Sequence, residues 1–244
     1  MPATLRFADY DALTFDCYGT LIDWESGILA ALGPWRRRVG LAADDETLLA
    51  AFGDAESRIE AERPALLYSD LLAEVQKDLG RRFDAPATEA EAAAFGRSVE
   101  HWPAFPDSAE SLAYLKRHHR LVILSNVDRA SFARSAEKLG VEFDLVVTAQ
   151  DVGSYKPNLA HFHVGLEKLA AMGVPKTKVL HVAQSLFHDH VPAKQVGLPS
   201  VWIDRRASRG GGGGATPPAA PVEPDLRVPS MAEFVALHRR QTGG

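Results

Sequence analysis

Two aspartates, a lysine and a set of hydroxyl and amide side chains recur in this chain at the ends of short apolar runs. Asp16 closes the run in "LTFDCYGTLID" and is followed by Tyr18, Gly19 and Thr20. Ser125 and Asn126 close "LVILSN", Lys156 lies in "QDVGSYKPN", and "HVAQSLFHDH" carries Gln184, Ser185, His188 and Asp189. Carboxylates are ionised at neutral pH, but two buried together push a proton onto one of them unless a cation joins them. Lys156 would supply that cation. Thr20 and Ser125 can hydrogen-bond Asp16 and aim one of its oxygens for attack. A carboxylate nucleophile leaves an ester behind, so a second group must activate water to remove it, and Asp189 is the free candidate.

Taken singly, these residues have duller readings. An Asp at a strand end is commonly a turn or helix cap. His188 and His190, two apart, suit neither face of a helix as a metal pair. Cys17 has no motif-placed His partner, and alternation along a strand turns it away from Asp16. The joint pattern carries the weight: Asp, Ser, Lys and Asp at four successive strand tips, with no metal and no cofactor expected.

The elements that must present these tips are readable by period. Candidate strands run from Tyr10 to Phe15, Leu121 to Leu124, Leu145 to Thr148, Lys178 to Val182 and Ser200 to Ile203, with a short last one from Leu226 to Val228. Helical patterns alternate with them, which is the sequence form of an α/β fold: a Rossmann-like parallel sheet with helices on both faces. One helix is expected from Ser108 to about His118, with Asp107 as cap and Glu110 as its capping-box partner. Others run from Asp128 to Leu139 before Gly140 and from Asn158 to Met172 before Gly173. A further helix carries Pro192 in its first turn and stops at Gly197, and the closing helix begins at Met231.

Between the first and second strands lie roughly a hundred residues, where a crossover needs only about a dozen. Segments 25–39, 45–62, 65–79 and 88–101 are helical by period, the last opened by the capping box "TEAE". Residues 22–102 are therefore expected to form an all-α cap, with 1–21 and 103–244 as the core. The Gly- and Pro-rich stretch from Ala207 to Pro224 reads as a surface connector without a function of its own.

Composition narrows the classes. The chain has 244 residues, 46% of them hydrophobic, and a net charge of −5 with no basic block. Neither a nucleic-acid footprint nor a polybasic membrane patch is supported, and no stretch approaches the ~18 apolar residues of a membrane span. The partner expected is a small molecule. One cysteine makes no internal disulfide, and the first residues lack a signal-peptide pattern, so a reducing, cytoplasmic setting is expected. Exposed helices in the insertion suit a homodimer.

The motifs "FDCYGTLID", "LVILSN", "SYKPN" and "HVAQSLFHD" resemble, in order, the four motifs of the haloacid dehalogenase (HAD) superfamily, with the cap inserted after the first. Phosphatase members carry an Asp two places after the nucleophile, which protonates the leaving alcohol and helps hold Mg²⁺. Here that place is Tyr18. The resemblance therefore points to the type II 2-haloacid dehalogenases, which need no metal, and away from a Mg²⁺-dependent phosphatase acting on a small phosphate ester. It implies that Asp16 displaces halide from a short 2-haloalkanoic acid. Asp189 and Lys156 would then direct water onto the ester to free a 2-hydroxy acid. Thr20 and Ser125 would position the nucleophile, while Tyr18, Asn126, Gln184, Ser185 and His188 would line the substrate site. The chain departs from that pattern in places. The cap arginine that meets the halide falls at Asp54, with Arg58 and Arg63 as substitutes from other turns. The tyrosine six residues past the lysine is Phe162, and His188 stands where the pattern has a tryptophan.

Overall fold

The computed structural model describes residues 5–207 and 214–243. Six short strands form one sheet: β1 (Ala12–Phe15), β2 (Arg120–Ser125), β3 (Leu145–Thr148), β4 (Val179–Ala183), β5 (Ser200–Ile203) and β6 (Leu226–Val228). All pairings are parallel and the order is β3-β2-β1-β4-β5-β6. β1 and β4 are buried at every residue, and the near-continuous apolar character of the strands is what a sheet covered on both faces demands. Strand order reverses at β1, so the crevice outside the carboxyl ends of β1 and β4 is the place where this architecture gathers ligands.

Helices α1 (Trp24–Val39), α2 (Asp45–Glu62), α3 (Tyr68–Arg82) and α4 (Glu89–Gly96) all lie between β1 and β2. The chain leaves and re-enters the core at one point: Asp23 N donates to Pro103 O at 2.8 Å, and Ile22 bridges Ala104. The core helices are α5 (Ser108–Leu115), α6 (Arg129–Leu139), α7 (Ala149–Val152), α8 (Ala160–Ala171), α9 (Val191–Gln195) and α10 (Met231–Thr242). Cap signals account for most boundaries. Gly40 and Gly140 take the left-handed conformation that ends α1 and α6, and the Thr88–Glu91 capping box opens α4.

Three boundaries differ from the sequence expectation. The Asp107–Glu110 capping box does not form; Asp107 has helical backbone, and its carboxylate accepts from Arg205 and from Ala232 N instead. The third inserted helix starts at Tyr68, because Leu66 N closes a turn on Arg63 O after the preceding helix. The fourth stops at Gly96 and resumes as a 3₁₀ turn, Ser98–His101. Gly96 lies against Ser69 O, 2.5 Å from where a Cβ would stand, so the two inserted helices touch there backbone to backbone. No helix among the described residues is long and apolar enough to cross a membrane.

Asp128 joins the helical insertion to the core. It caps α6 by accepting from Ser131 N at Oδ1 (2.9 Å) and from Ser131 Oγ at Oδ2, and Oδ2 also accepts from Ser69 N in the first turn of α3 (3.2 Å). Asp128→Ala is expected to destabilise the protein by about 1–2 kcal/mol, the upper range for a cap whose loss orphans two helix starts. Urea unfolding checks it, and a change within ~0.3 kcal/mol would remove the joint from the account.

Candidate active site

Asp16 follows β1, and both of its oxygens are held. Thr20 Oγ1 donates to Oδ2 at 2.8 Å and Lys156 Nζ to Oδ1 at 2.9 Å. The Thr20 hydroxyl in turn accepts from Gln184 N (2.9 Å), which ties the tip of β1 to the tip of β4. Lys156 Nζ makes two more bonds, to Leu124 O (2.8 Å) and to Asp189 Oδ1 (2.7 Å), so its three protons are all committed. Lys156 and Asp189 are almost wholly buried, and Asp16 is 6% exposed. Behind Asp189, His181 Nε2 lies 3.1 Å from the same Oδ1, and its Nδ1 is 2.9 Å from Thr14 Oγ1. Asp189 Oδ2, by contrast, has no hydrogen-bond partner. It belongs to a one-turn π-helix, Leu186–His190, a distortion frequent at functional sites.

Burial opposes charge throughout this cluster, and the neighbours decide the outcome. It pushes the Asp16 carboxyl up, an effect that Lys156 offsets only in part. Against the same burial, Lys156 and His181 hold Asp189 well below the usual carboxylate range. Asp16 and Asp189 likewise outweigh burial at Lys156 and keep it protonated. Each of the three needs the other two.

Asp16 and Asp189 face a cavity also lined by Tyr18, Asn126, Lys156, Gln184, Ser185 and His188. Of the ten residues expected from the sequence, eight therefore border one space, and Thr20 stands directly behind Asp16. Ser125 departs from expectation. Its hydroxyl is buried with no partner and makes no bond to Asp16, whose two oxygens accept from Lys156 and Thr20. Tyr18 borders the cavity with its hydroxyl turned onto α6, 2.7 Å from Ser135 Oγ, and burial raises it well above the ordinary phenol value. Asn126 ties the loops together, accepting from Lys156 N (2.7 Å) and donating to Lys156 O and to Glu60 Oε1 (3.1 and 3.2 Å). Cys17 is buried in the apolar core, and His190 is bonded between Ser200 Oγ and Ala183 O.

The far wall was missed. It consists of Trp24, Glu56, Glu60, Tyr68, Val127 and the backbone of 214–216. Asp54, Arg58 and Arg63 do not reach the cavity: Asp54 pairs outward with Arg82, Arg58 pairs with Glu62 and Asp78, and Arg63 is exposed. Four-residue spacing puts Glu56 and Glu60 on the inner face of α2. Tyr68 donates its hydroxyl to Glu56 Oε1 at 2.7 Å. His188 Nε2 lies 3.6 Å from Glu60 Oε2, an ion-pair distance rather than a hydrogen bond, and has no other partner. Burial, then the nearness of Glu60, pushes Glu56 up to about 8. Burial lowers His188, but Glu60 and Glu56 outweigh it and raise the imidazole above its usual value.

The connector after β5 is not the idle loop its composition suggests. Residues 208–213, most of its glycine run among them, lie outside the described residues, but what flanks them is anchored. Arg206 makes ion pairs with Glu25 and Glu46, Thr216 Oγ1 is 2.7 Å from Ser57 Oγ, and Gly214 borders the cavity. A Cβ on Gly53 of α2 would stand 2.1 Å from Gly214 O, so this helix must present a glycine where the strap passes.

The carboxylates of the site are gathered around an ammonium. Oδ1 of Asp16 and Oδ1 of Asp189 converge on one ammonium, Thr20 occupies the other Asp16 oxygen, and Tyr18 offers no carboxylate. Mg²⁺ demands an octahedral oxygen shell, and the cation between these carboxylates is already Lys156. Among the described residues no group of three or more His, Cys, Asp or Glu is arranged to hold a metal.

Residues 10–196 match the family model of the haloacid dehalogenase-like hydrolases. The haloacid dehalogenase-like hydrolase domain-containing protein 3 of Xenopus laevis is 30% identical over 109 residues, 43% of this chain. The match spans 43% of that relative, so the chain covers less than half of its length. The structure of the L-2-haloacid dehalogenase from Xanthobacter autotrophicus superposes with a TM-score of 0.75 at 22% identity, covering 94% of this chain and 98% of that one. A magnesium-bound HAD-hydrolase from Bacillus subtilis superposes with a TM-score of 0.74 at 16% identity, with coverages of 94% and 98%. At these identities the likeness is one of fold, and it does not separate the two chemistries.

Glu56 gives the site a pH signature. Its ordinary value is 4.5 and its folded value about 8, so the folded state keeps a proton that the unfolded chain releases. The stabilisation is present in full below about pH 4.5 and is lost as pH rises through 8. Glu56→Gln does not titrate there. Thermal melts are expected to match wild type at pH 4.5 and to exceed it at pH 8.5; parallel curves would return Glu56 to ordinary ionisation.

Proposed function

Because this chain belongs to the haloacid dehalogenase-like hydrolases, we propose that it is a dehalogenase hydrolysing a carbon–halogen bond at the 2-position of a short acyl compound. The 2-haloalkanoic acids are the parent class. Asp16 attacks the halogen-bearing carbon in line, and the carbon–halogen bond breaks with its electron pair leaving as halide. Water then attacks the carboxyl carbon of the Asp16 ester, giving up its proton toward Asp189, and the 2-hydroxy product departs. Helices α1–α4 act as the cap that closes over this chemistry, and the protein works in the cytoplasm.

One observation carries the reading: Lys156 bridges Asp16 and Asp189 while Asp189 Oδ2 is left without a partner. The ammonium keeps both carboxylates charged, one as nucleophile and one as the group that takes a proton from water. Desolvation that pushes Asp16 up also makes its carboxylate a stronger nucleophile than a hydrated one. Tyr18 supports the choice of leaving group. A buried phenol hydrogen-bonded to Ser135 holds its proton, so it is poorly placed to assist an alkoxide, whereas halide leaves without a proton. The phosphatase alternative has against it both Tyr18 and the donor set around Lys156.

Halide release from 2-halopropionyl compounds is expected in EDTA, at a rate unaltered by added Mg²⁺; turnover confined to p-nitrophenyl phosphate with Mg²⁺ would sink the reading. Single turnover in ¹⁸O-water is expected to label the Asp16 carboxyl, detected by peptide mass spectrometry. Label appearing first in the product would mean that water attacks the substrate directly.

A further inference from the structure

The cavity wall supplied by α2 has the wrong charge for a carboxylate. Among the described residues around the space in front of Asp16, the cationic side chains are Lys156, whose three protons are committed, and His188, which faces Glu60. Two glutamates stand beyond them. Glu60 is 6% exposed and is approached by Asn126 Nδ2 and the His188 ring; Glu56 accepts from Tyr68. An incoming carboxylate would press its acceptors and its charge against Glu60, and like charges at short range inside a protein repel strongly. A carboxamide brings what this wall lacks. Its N–H₂ donates two hydrogen bonds, its oxygen accepts, and it adds no charge.

Resting on the dehalogenase reading and deepening it, we propose that the Glu56–Glu60 face selects a 2-halocarboxamide over the free 2-haloacid. Glu60 accepts from the amide N–H₂, and His188 or the Glu56 carboxyl donates to the amide oxygen. The elevated Glu56 proton affinity suits that second role, since a protonated carboxyl is a donor at neutral pH. The chemistry at carbon is unchanged: Asp16 forms the ester, halide leaves with the bonding pair, and water returns the carboxylate. A 2-hydroxycarboxamide, halide and one proton are the products. Glu56 and Glu60 thus determine specificity and touch neither the breaking bond nor the attacking water.

The test compares 2-chloropropionamide with 2-chloropropionate by halide release, and lactamide with lactate by calorimetric binding to the wild-type protein. Wild type is expected to favour the amide at least tenfold in kcat/KM and to bind lactamide more tightly than lactate. Glu60→Gln removes the charge while retaining an acceptor for Asn126, and is expected to shift the amide-to-acid ratio at least tenfold toward the acid. A wild-type preference for the acid, or a ratio unmoved in Glu60→Gln, overturns the proposal while leaving Asp16-dependent dehalogenation standing. Halide release from neither compound, with lactamide still bound in preference, overturns the dehalogenase reading and keeps the amide-selective wall. Should Glu60→Gln fail to fold, the wild-type binding preference decides alone, and equal affinities count against the proposal.

Discussion

One ammonium group, Lys156 Nζ, sets the terms for the rest of the site. It lies between two carboxylates that burial would otherwise force to share a proton, and it spends its third hydrogen on a strand carbonyl. Buried ion pairs of this kind contribute little net stability, because desolvation costs about as much as the pairing returns; removing one partner, however, leaves an uncompensated charge and costs ~3–5 kcal/mol. The triad is better understood as a device for holding two negative charges in a dry place. The fold serves it closely. β1, β2 and β4 are adjacent in the sheet, so their tips bring Asp16, Leu124 O and Asp189 around the single point that Lys156 reaches from the loop before α8.

That much was legible in the chain, for a physical reason. A strand buried on both faces is largely an apolar run, and the polar residue that closes it marks the carboxyl end where side chains meet, so Asp16, Ser125 and Gln184 announce themselves in one dimension, with Asn126 and Asp189 close behind. The helices followed from caps and glycines wherever those signals were undisputed. Asp107 shows the limit: an Asp ahead of a helix reads as a cap, but a distant Arg205 competed for its carboxylate and won. Ser125 shows another, since it stands at a strand tip while its hydroxyl makes no bond to Asp16.

The α2 wall was not legible because the second half of that helix crowds charges around a narrow apolar face of Ala55 and Ile59. Asp54, Glu56, Arg58, Glu60 and Glu62 follow at alternate positions, and period alone does not say which face of such a helix turns inward. Asp54, Arg58 and Arg63, at or near the place of the missing arginine, point outward, while the carboxylates of Glu56 and Glu60 border the same cavity as Asp16. His181 was hidden differently, as a polar residue inside an apolar strand whose partner, Asp189, lies eight residues on. The strap was hidden by composition, because Gly- and Pro-rich sequence reads as unstructured even where Arg206 and Thr216 fasten it on either side of the glycines.

The contact between Gly53 and Gly214 has a consequence for the order in which the molecule is made. The helices of the insertion, β1 to β4 and the entire charged triad are complete by residue 190, and chains fold as they emerge from the N-terminus. Every side chain that hydrogen-bonds Asp16 lies in that part of the chain, yet one side of its chamber does not. Residues 214–216 close it only afterwards, arriving across α2 with a backbone carbonyl so near that any side chain on Gly53 would obstruct them. The charged triad and the chamber's shape thus rest on different parts of the chain, so variation in the strap can reshape the chamber without touching the ion triad.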